Sequence, residues 1–536
     1  TFYAGSRAVG IDAQANYQGD VHVTNNGDIN AIAVTDDGVT FFNGGAGATG
    51  INAYGKYDAT VINSGDINAI AMSDVGVTGA YGVEVHGKYT GNLVNAAGGS
   101  ILAQASVQSL ATDYYGGRAI AFGAHTFGTD HAVTTNSGDI VAQAIVEADG
   151  GANEGASLAK AWGASIGAYS TSLTGTIVNH GDIDVLASAD YGYATSYGTF
   201  INSQYLADTS NDGVIRSVAS AAGGDAFAVG SYSNAVHAIY VIDCDEYGCD
   251  YENAYFIADD GLARLTNSGD IIASASAAGG VGNSYSAVVR GAFGSTLSNT
   301  GRIMAETEAD DAQATGALLV SLYGAVSVTN GGLIQAVAEG DVANATGVGA
   351  IGLAGTGVSV TNSGQIIAAA NGDDATATAL RMESASINKL VNSGSISALG
   401  DGERIAISSE GTATADILNT GTITGAIQTG SLDDRLVNGS GGNWFALGAS
   451  IFGDGNDSLT NAAGGLIDVV GGTIAMEDGN DTITNHGTFR LTGGTVTMGA
   501  GTNAFTNVGI LKVLGTSAVD VGAAGTLTNI SSIDFI

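Results

Sequence analysis

The chain has 536 residues, room for several ordinary domains, yet 84 glycines, no proline and only 12% charged residues describe a different kind of object. Lack of proline and of a Gly-X-Y period excludes collagen, and 45% hydrophobic residues exclude a disordered chain. A net charge of −37, from 52 acidic and 15 basic residues, excludes a nucleic-acid partner, which needs basic clusters to neutralise phosphate.

From the first residues onward one pattern recurs: apolar-x-Asn-x-Gly-x-Ile-x-Ala-x-Ala. It begins as Val23-Thr-Asn25-Asn-Gly27-Asp-Ile29-Asn-Ala31-Ile-Ala33 and returns around Asn63, Asn136 and Asn179, with a two-residue-longer turn at Asn95. Ile and Ala at alternate positions put small apolar side chains on one face of a strand. The Asn-x-Gly between two such strands predicts a turn, with Asn tolerating left-handed backbone and Gly relieving a Cβ clash. Residues 204–262 break the pattern, with Asn211 as a degenerate anchor. The pattern then resumes at Asn267, Asn299, Asn330, Asn362, Asn392 and Asn419, in steps of 32, 31, 32, 30 and 27 residues. After Asn419 the steps shorten to 19, 23, 24, 22 and 22, through Asn438, Asn461, Asn485, Asn507 and Asn529. About 22 residues fit one bare coil of three short strands and three turns, and the longer steps add loops or longer strands.

The reading is therefore an all-β chain: a right-handed parallel β-helix, or β-solenoid, with inserted loops. Its long-coil region spans 1–424, with the irregular insert at about 204–262, and a tight short-coil region spans 425–536. Roughly 17 coils at strand spacing would stack to on the order of 80 Å. Stacked copies would align Asn25, Asn63, Asn136, Asn179, Asn267, Asn299, Asn330, Asn362, Asn392 and Asn419 into a ladder of side-chain hydrogen bonds.

Three groups of residues are candidates for chemistry. Cys244 and Cys249 stand in an acid-rich segment with Asp243, Asp245, Glu246, Asp250 and Glu252. It reads as a disulfide-closed surface loop, or as a calcium or partner-binding loop, since hard cations want clustered oxygens. Asp454, Asn456 and Asp457, then Asp478, Asn480 and Asp481, resemble the glycine-aspartate calcium nonapeptide of RTX proteins; the alternative is a plain polar turn. Of seven histidines, His125 and His131 are the only near pair. Tyrosines concentrate in the long-coil half, where they can stack on sugars or pack against the solenoid. No nucleophile elbow or phosphate loop is visible, so no catalytic residue is named. No cofactor is expected beyond Ca²⁺.

The repeat, as at Leu265 to Ala275 and Val360 to Ala370, resembles the passenger domains of bacterial autotransporters, the type V secretion family. The segment from about Ser431 to Ile536 is similar to the passenger end that precedes the translocation unit. That resemblance implies a β-helix exported across the outer membrane to the bacterial cell surface, meeting the membrane only through a C-terminal barrel that would lie beyond Ile536. It implies a structural or adhesive role in attachment or self-association, with homotypic partners or a host, cell-surface or glycan ligand. A filament or surface-layer subunit is one alternative, and a polysaccharide-binding or glycan-active β-helix is another. The enzymatic reading is the least favoured.

Overall fold

A computed structural model describes residues 5–535, apart from 16, 36–44, 75, 110–116, 149–156, 168–171, 237, 241–242, 246–247, 251–253, 257–260 and 355. The side chains at 109, 148, 172 and throughout 237–260 also lie outside the description. Among the described residues the regular structure is β-strand throughout, with no helix long and apolar enough to cross a membrane. The chain is a parallel β-solenoid. It divides into two compact units: Thr1–Ser295 with Glu306–Asp311, and Thr296–Ala305 with Ala312–Ile536.

In the first unit a coil consists of three strands, for example Gly45–Gly55, Asp58–Asn63 and Asp66–Ser73. Each pairs in parallel with its counterpart one coil later: Val77–Gly87, Thr90–Asn95 and Ser100–Ser109. Like residues stack, with Ile67 on Ile101, Ala69 on Ala103 and Ala71 on Ala105, and all six are 0% exposed. Period-2 alternation explains this, because every second side chain of the Ile-x-Ala-x-Ala strand must point inward. Burying each isoleucine contributes about 2–3 kcal/mol, while the alanines let the sheets approach closely.

In the second unit the coils shrink along the chain. A late one is Thr482–Asn485, Thr488–Thr492 and Thr495–Thr497, paired in parallel with Ala504–Asn507, Ile510–Leu514 and Ala518–Asp520. Fewer inward positions per coil call for larger side chains to fill the same kind of interior. Trp444, Phe452, Phe489 and Phe505 are accordingly all 0% exposed.

The turn chemistry differs from the sequence-based expectation. Among the described residues the one non-glycine with positive φ is Glu477 (φ 62°), so the anchor asparagines keep ordinary backbone. The glycine two residues later is needed for a different reason. A Cβ on Gly65 would lie 2.2 Å from the carbonyl oxygen of Gly27, one coil below. The clash is between coils, not within the turn.

Candidate functional site

The anchor asparagines form the predicted ladder within each unit. In the first unit Asn25 donates through Nδ2 to Oδ1 of Asn63 at 2.8 Å, and the same bond runs on through Asn95, Asn136, Asn179, Asn211 and Asn267. In the second it runs from Asn299 through Asn330, Asn362, Asn392, Asn419, Asn438, Asn461, Asn485, Asn507 and Asn529. Each amide also secures backbone: Asn330 Nδ2 reaches the Gly332 oxygen at 3.2 Å and the Gln365 oxygen at 3.0 Å. From Asn63 to Asn507 the anchors are at most 1% exposed. A buried amide is tolerable only when satisfied, and stacking satisfies it repeatedly.

The two Asp-Gly-Asn-Asp segments are split by the strand period. Asp454, Asn456, Asp478 and Asn480 are not buried, whereas Asp457 and Asp481 are 1% and 0% exposed. With Asp434, the two buried aspartates form a column one coil apart. Oδ1 of Asp434 accepts from the Ala415 amide, Oδ1 of Asp457 from the Asp434 amide and Oδ1 of Asp481 from the Asp457 amide, at 2.7, 2.7 and 2.9 Å. Asn503 takes the next position, accepting from the Asp481 amide at 2.9 Å. The Oδ2 atoms of all three aspartates are buried without a hydrogen-bond partner. Burial pushes their carboxyls above the usual range, Asp457 to about 8, with the charges of Asp434, Asp481 and Asp433 adding to its rise. Among the described residues no three His, Cys, Asp or Glu groups are gathered so as to hold a metal ion.

In the 243–252 segment, Asp243–Asp245 and Gly248–Asp250 pair antiparallel, with Cys244 directly opposite Cys249. Their side chains, which the disulfide and the calcium loop would use, lie outside the described residues, as do Glu246 and Glu252 altogether.

The most site-like geometry lies elsewhere in the first unit. One strand of each coil has two successive inward residues, such as Gly82 and Val83, so residues on either side both point outward. Across that corner the flanking side chains converge. Phe122 and His125 have ring centroids 5.8 Å apart, and Tyr197 and Phe200 5.5 Å. Convergence of outward residues means that the corner is concave, and the stacked corners make a trough. At Gly163 the corner is tight: a Cβ would lie 2.5 Å from the Gly198 oxygen and 2.3 Å from Cγ2 of Ile183, although Ser286 fits the same position opposite Gly230 in a later coil.

The two walls differ. One is the column Val9, Thr49, Tyr81, Phe122, Trp162 and Tyr197, in register coil by coil. Its rings stack face to face: Tyr81 on Phe122 at 5.1 Å and 9°, Phe122 on Trp162 at 4.4 Å and 2°, Trp162 on Tyr197 at 5.9 Å and 6°. Such stacking adds about 0.5–1.5 kcal/mol per pair and turns ring edges, not faces, to the trough. The other wall is Asp12, Asn52, Glu84, His125 and Ser165 in the same register. Asn52 Nδ2 donates to Asp12 Oδ1 at 3.0 Å, and His125 Nδ1 meets Ser165 Oγ at 2.9 Å. Burial, reinforced by the neighbouring His86, pulls the His125 imidazole down to about 4, so it is neutral at physiological pH. Burial raises the Glu84 carboxyl, and Arg7 opposes that rise. On the polar wall the trough is open from Asp12 to Glu84 and filled at His125 (5% exposed) and Ser165 (0%); on the other wall Val9 is 37% exposed, Thr49 only 7% and Phe122 2%.

Sequence reasoning paired His125 with His131. The structure separates them: His125 lines the trough, whereas His131 bonds Thr174 Oγ1 at 2.7 Å on an exposed strand face. A usable signal for the trough was present, because its aromatics each precede a glycine: Tyr81-Gly82, Phe122-Gly123, Trp162-Gly163 and Tyr197-Gly198.

In comparisons with known proteins, no protein-family model matches the chain and no curated protein is similar to it in sequence.

Proposed function

We propose that this chain is the surface-displayed structural and adhesive part of an exported bacterial protein, of the autotransporter passenger kind, serving attachment or self-association. The observation that carries this reading is the asparagine ladder, in which each coil in a unit supplies the hydrogen-bonding template for the next. A chain built this way devotes its length to stacked outer faces, and stability accrues coil by coil. That manner of folding suits a protein that is exported unfolded and assembles outside. The charge of −37 keeps such a surface soluble and turns binding away from polyanions. In this reading the protein binds and does not catalyse.

The test is cellular. Bacteria expressing the full gene should aggregate, or adhere to a coated surface, more than an otherwise identical strain lacking it. Equal behaviour of the two strains would overturn the proposal.

A further inference from the structure

The geometry points to the open end of the first-unit trough, between Tyr81 and the Asp12–Asn52–Glu84 column, as a binding site for a short stretch of uncharged glycan chain. This rests on the attachment reading above and names its ligand class.

The contrast between the walls carries the inference. One wall carries Val9, Thr49 and then the ring stack that Tyr81 begins, largely apolar surface; the other offers a carboxylate, an amide and a second carboxylate in register on three successive coils. Those groups lie one strand spacing apart, about 4.8 Å, so they repeat along the trough at close to the length of a sugar unit. A pyranose chain has the matching character, with C–H-rich ring faces and hydroxyls around its rim. Hydroxyls can donate to the carboxylates of Asp12 and Glu84, and among the described residues no hydrogen-bonding side chain engages Glu84. Polar groups set beside an apolar wall in a concavity are the usual make-up of a small-ligand site.

Other occupants fit less well. The trough floor beneath Asn52 and Glu84 is backbone already paired to the coils on both sides, so a peptide cannot add there as a strand. Two carboxylates on one wall outweigh Arg7, the cation acting on Glu84, and in a protein of net charge −37 they disfavour an anionic glycan. The far end is closed by Phe122 and His125, which limits the ligand to the few coils before them.

The experiment uses the intact protein and isothermal titration with cellotetraose, maltotetraose and mannotetraose as neutral probes, and tetragalacturonate as an anionic one. At least one neutral tetrasaccharide should bind saturably, with tetragalacturonate at least about tenfold weaker. Glu84→Gln and Tyr81→Ala should each weaken binding about tenfold, the loss of one good contact. Circular dichroism of each variant confirms the fold. Thr24→Ala, on an exposed face outside the trough, should bind as the parent does. Three results would each overturn the inference: no neutral probe binds, the anionic probe binds as well, or both trough variants bind like the parent. The cellular assay separates this from the broader reading. Adhesion without tetrasaccharide binding sinks the trough site alone, and binding without adhesion or aggregation sinks the attachment role alone.

Discussion

The long coils of the first unit and the tight coils near the end of the second treat the same position in opposite ways. Four residues before each anchor, the first unit places Ala59, Gly91 and Ala132, paired in register and pointing inward. At the equivalent place the tight coils put Asp434, Asp457, Asp481 and Asn503, buried to 2% exposure or less. In the tight coils the amides of Asp434, Asp457 and Asp481 find their acceptor in the side chain of the following coil. Shortening a coil leaves turn amides that need a partner, and a short acceptor side chain supplies it. The two regions therefore share one kind of ladder but differ in what else must be kept satisfied.

The comparison can be broken first at its common part. Replacing an anchor by alanine removes several buried hydrogen bonds and orphans the neighbouring amide, which costs about 3 kcal/mol. Asn179→Ala and Asn461→Ala should therefore lose similar protection, read as faster amide hydrogen exchange in the flanking coils. Unequal losses would show that the ladder matters to one region only.

The glycines sharpen the difference. Gly163→Ala forces a Cβ against backbone and a packed isoleucine and should cost about 2–3 kcal/mol in denaturant unfolding. Gly448, in the second unit, has φ +83° and open space where a Cβ would sit, so Gly448→Ala meets only backbone strain, about 1–2 kcal/mol. Reversed magnitudes would contradict the steric account of the trough corner.

The aspartate column predicts a pH dependence confined to the tight coils. Asp457 titrates at about 8 in the fold, and an unfolded aspartate at about 3.9. A carboxyl raised by folding is favoured in its neutral form. Its contribution is fully present below about pH 4 and is lost as pH rises towards 8. The charged groups acting on it are Asp434, Asp481 and Asp433, all acidic, so among the described residues no cation offsets the loss. The tight-coil unfolding midpoint should fall by about 5 °C between pH 5 and pH 9. Asp457→Asn should flatten that slope, since Asn503 already shows an amide fitting the column with Nδ2 bonded to the Met498 oxygen at 2.5 Å. A slope unchanged in Asp457→Asn would assign the pH dependence elsewhere.

Much of the ladder could be read from spacing. The 22- and 32-residue steps located the anchors, and even Asn211, inside an irregular stretch, proved to bridge Asn179 and Asn267. Local rules reached that far because an Asn two residues from a Gly, between alternating strands, carries its environment with it. The trough was not legible in the same way. Tyr81, Phe122 and Trp162 are 41 and 40 residues apart, and the intervening lengths vary, so register alone makes them neighbours.

By itself the sequence determined the all-β solenoid, the identity of the inward Ile and Ala residues and the asparagine ladder. Each of these follows from a two-residue period and a repeated turn, which are local. Only the tertiary structure decided that the corner beside Gly82 is concave, that Asp457 points in while Asp454 stays out, and that His125 parts from His131. Those outcomes depend on where one coil lies against the next, and stacking sets that through contacts between residues some twenty to forty positions apart.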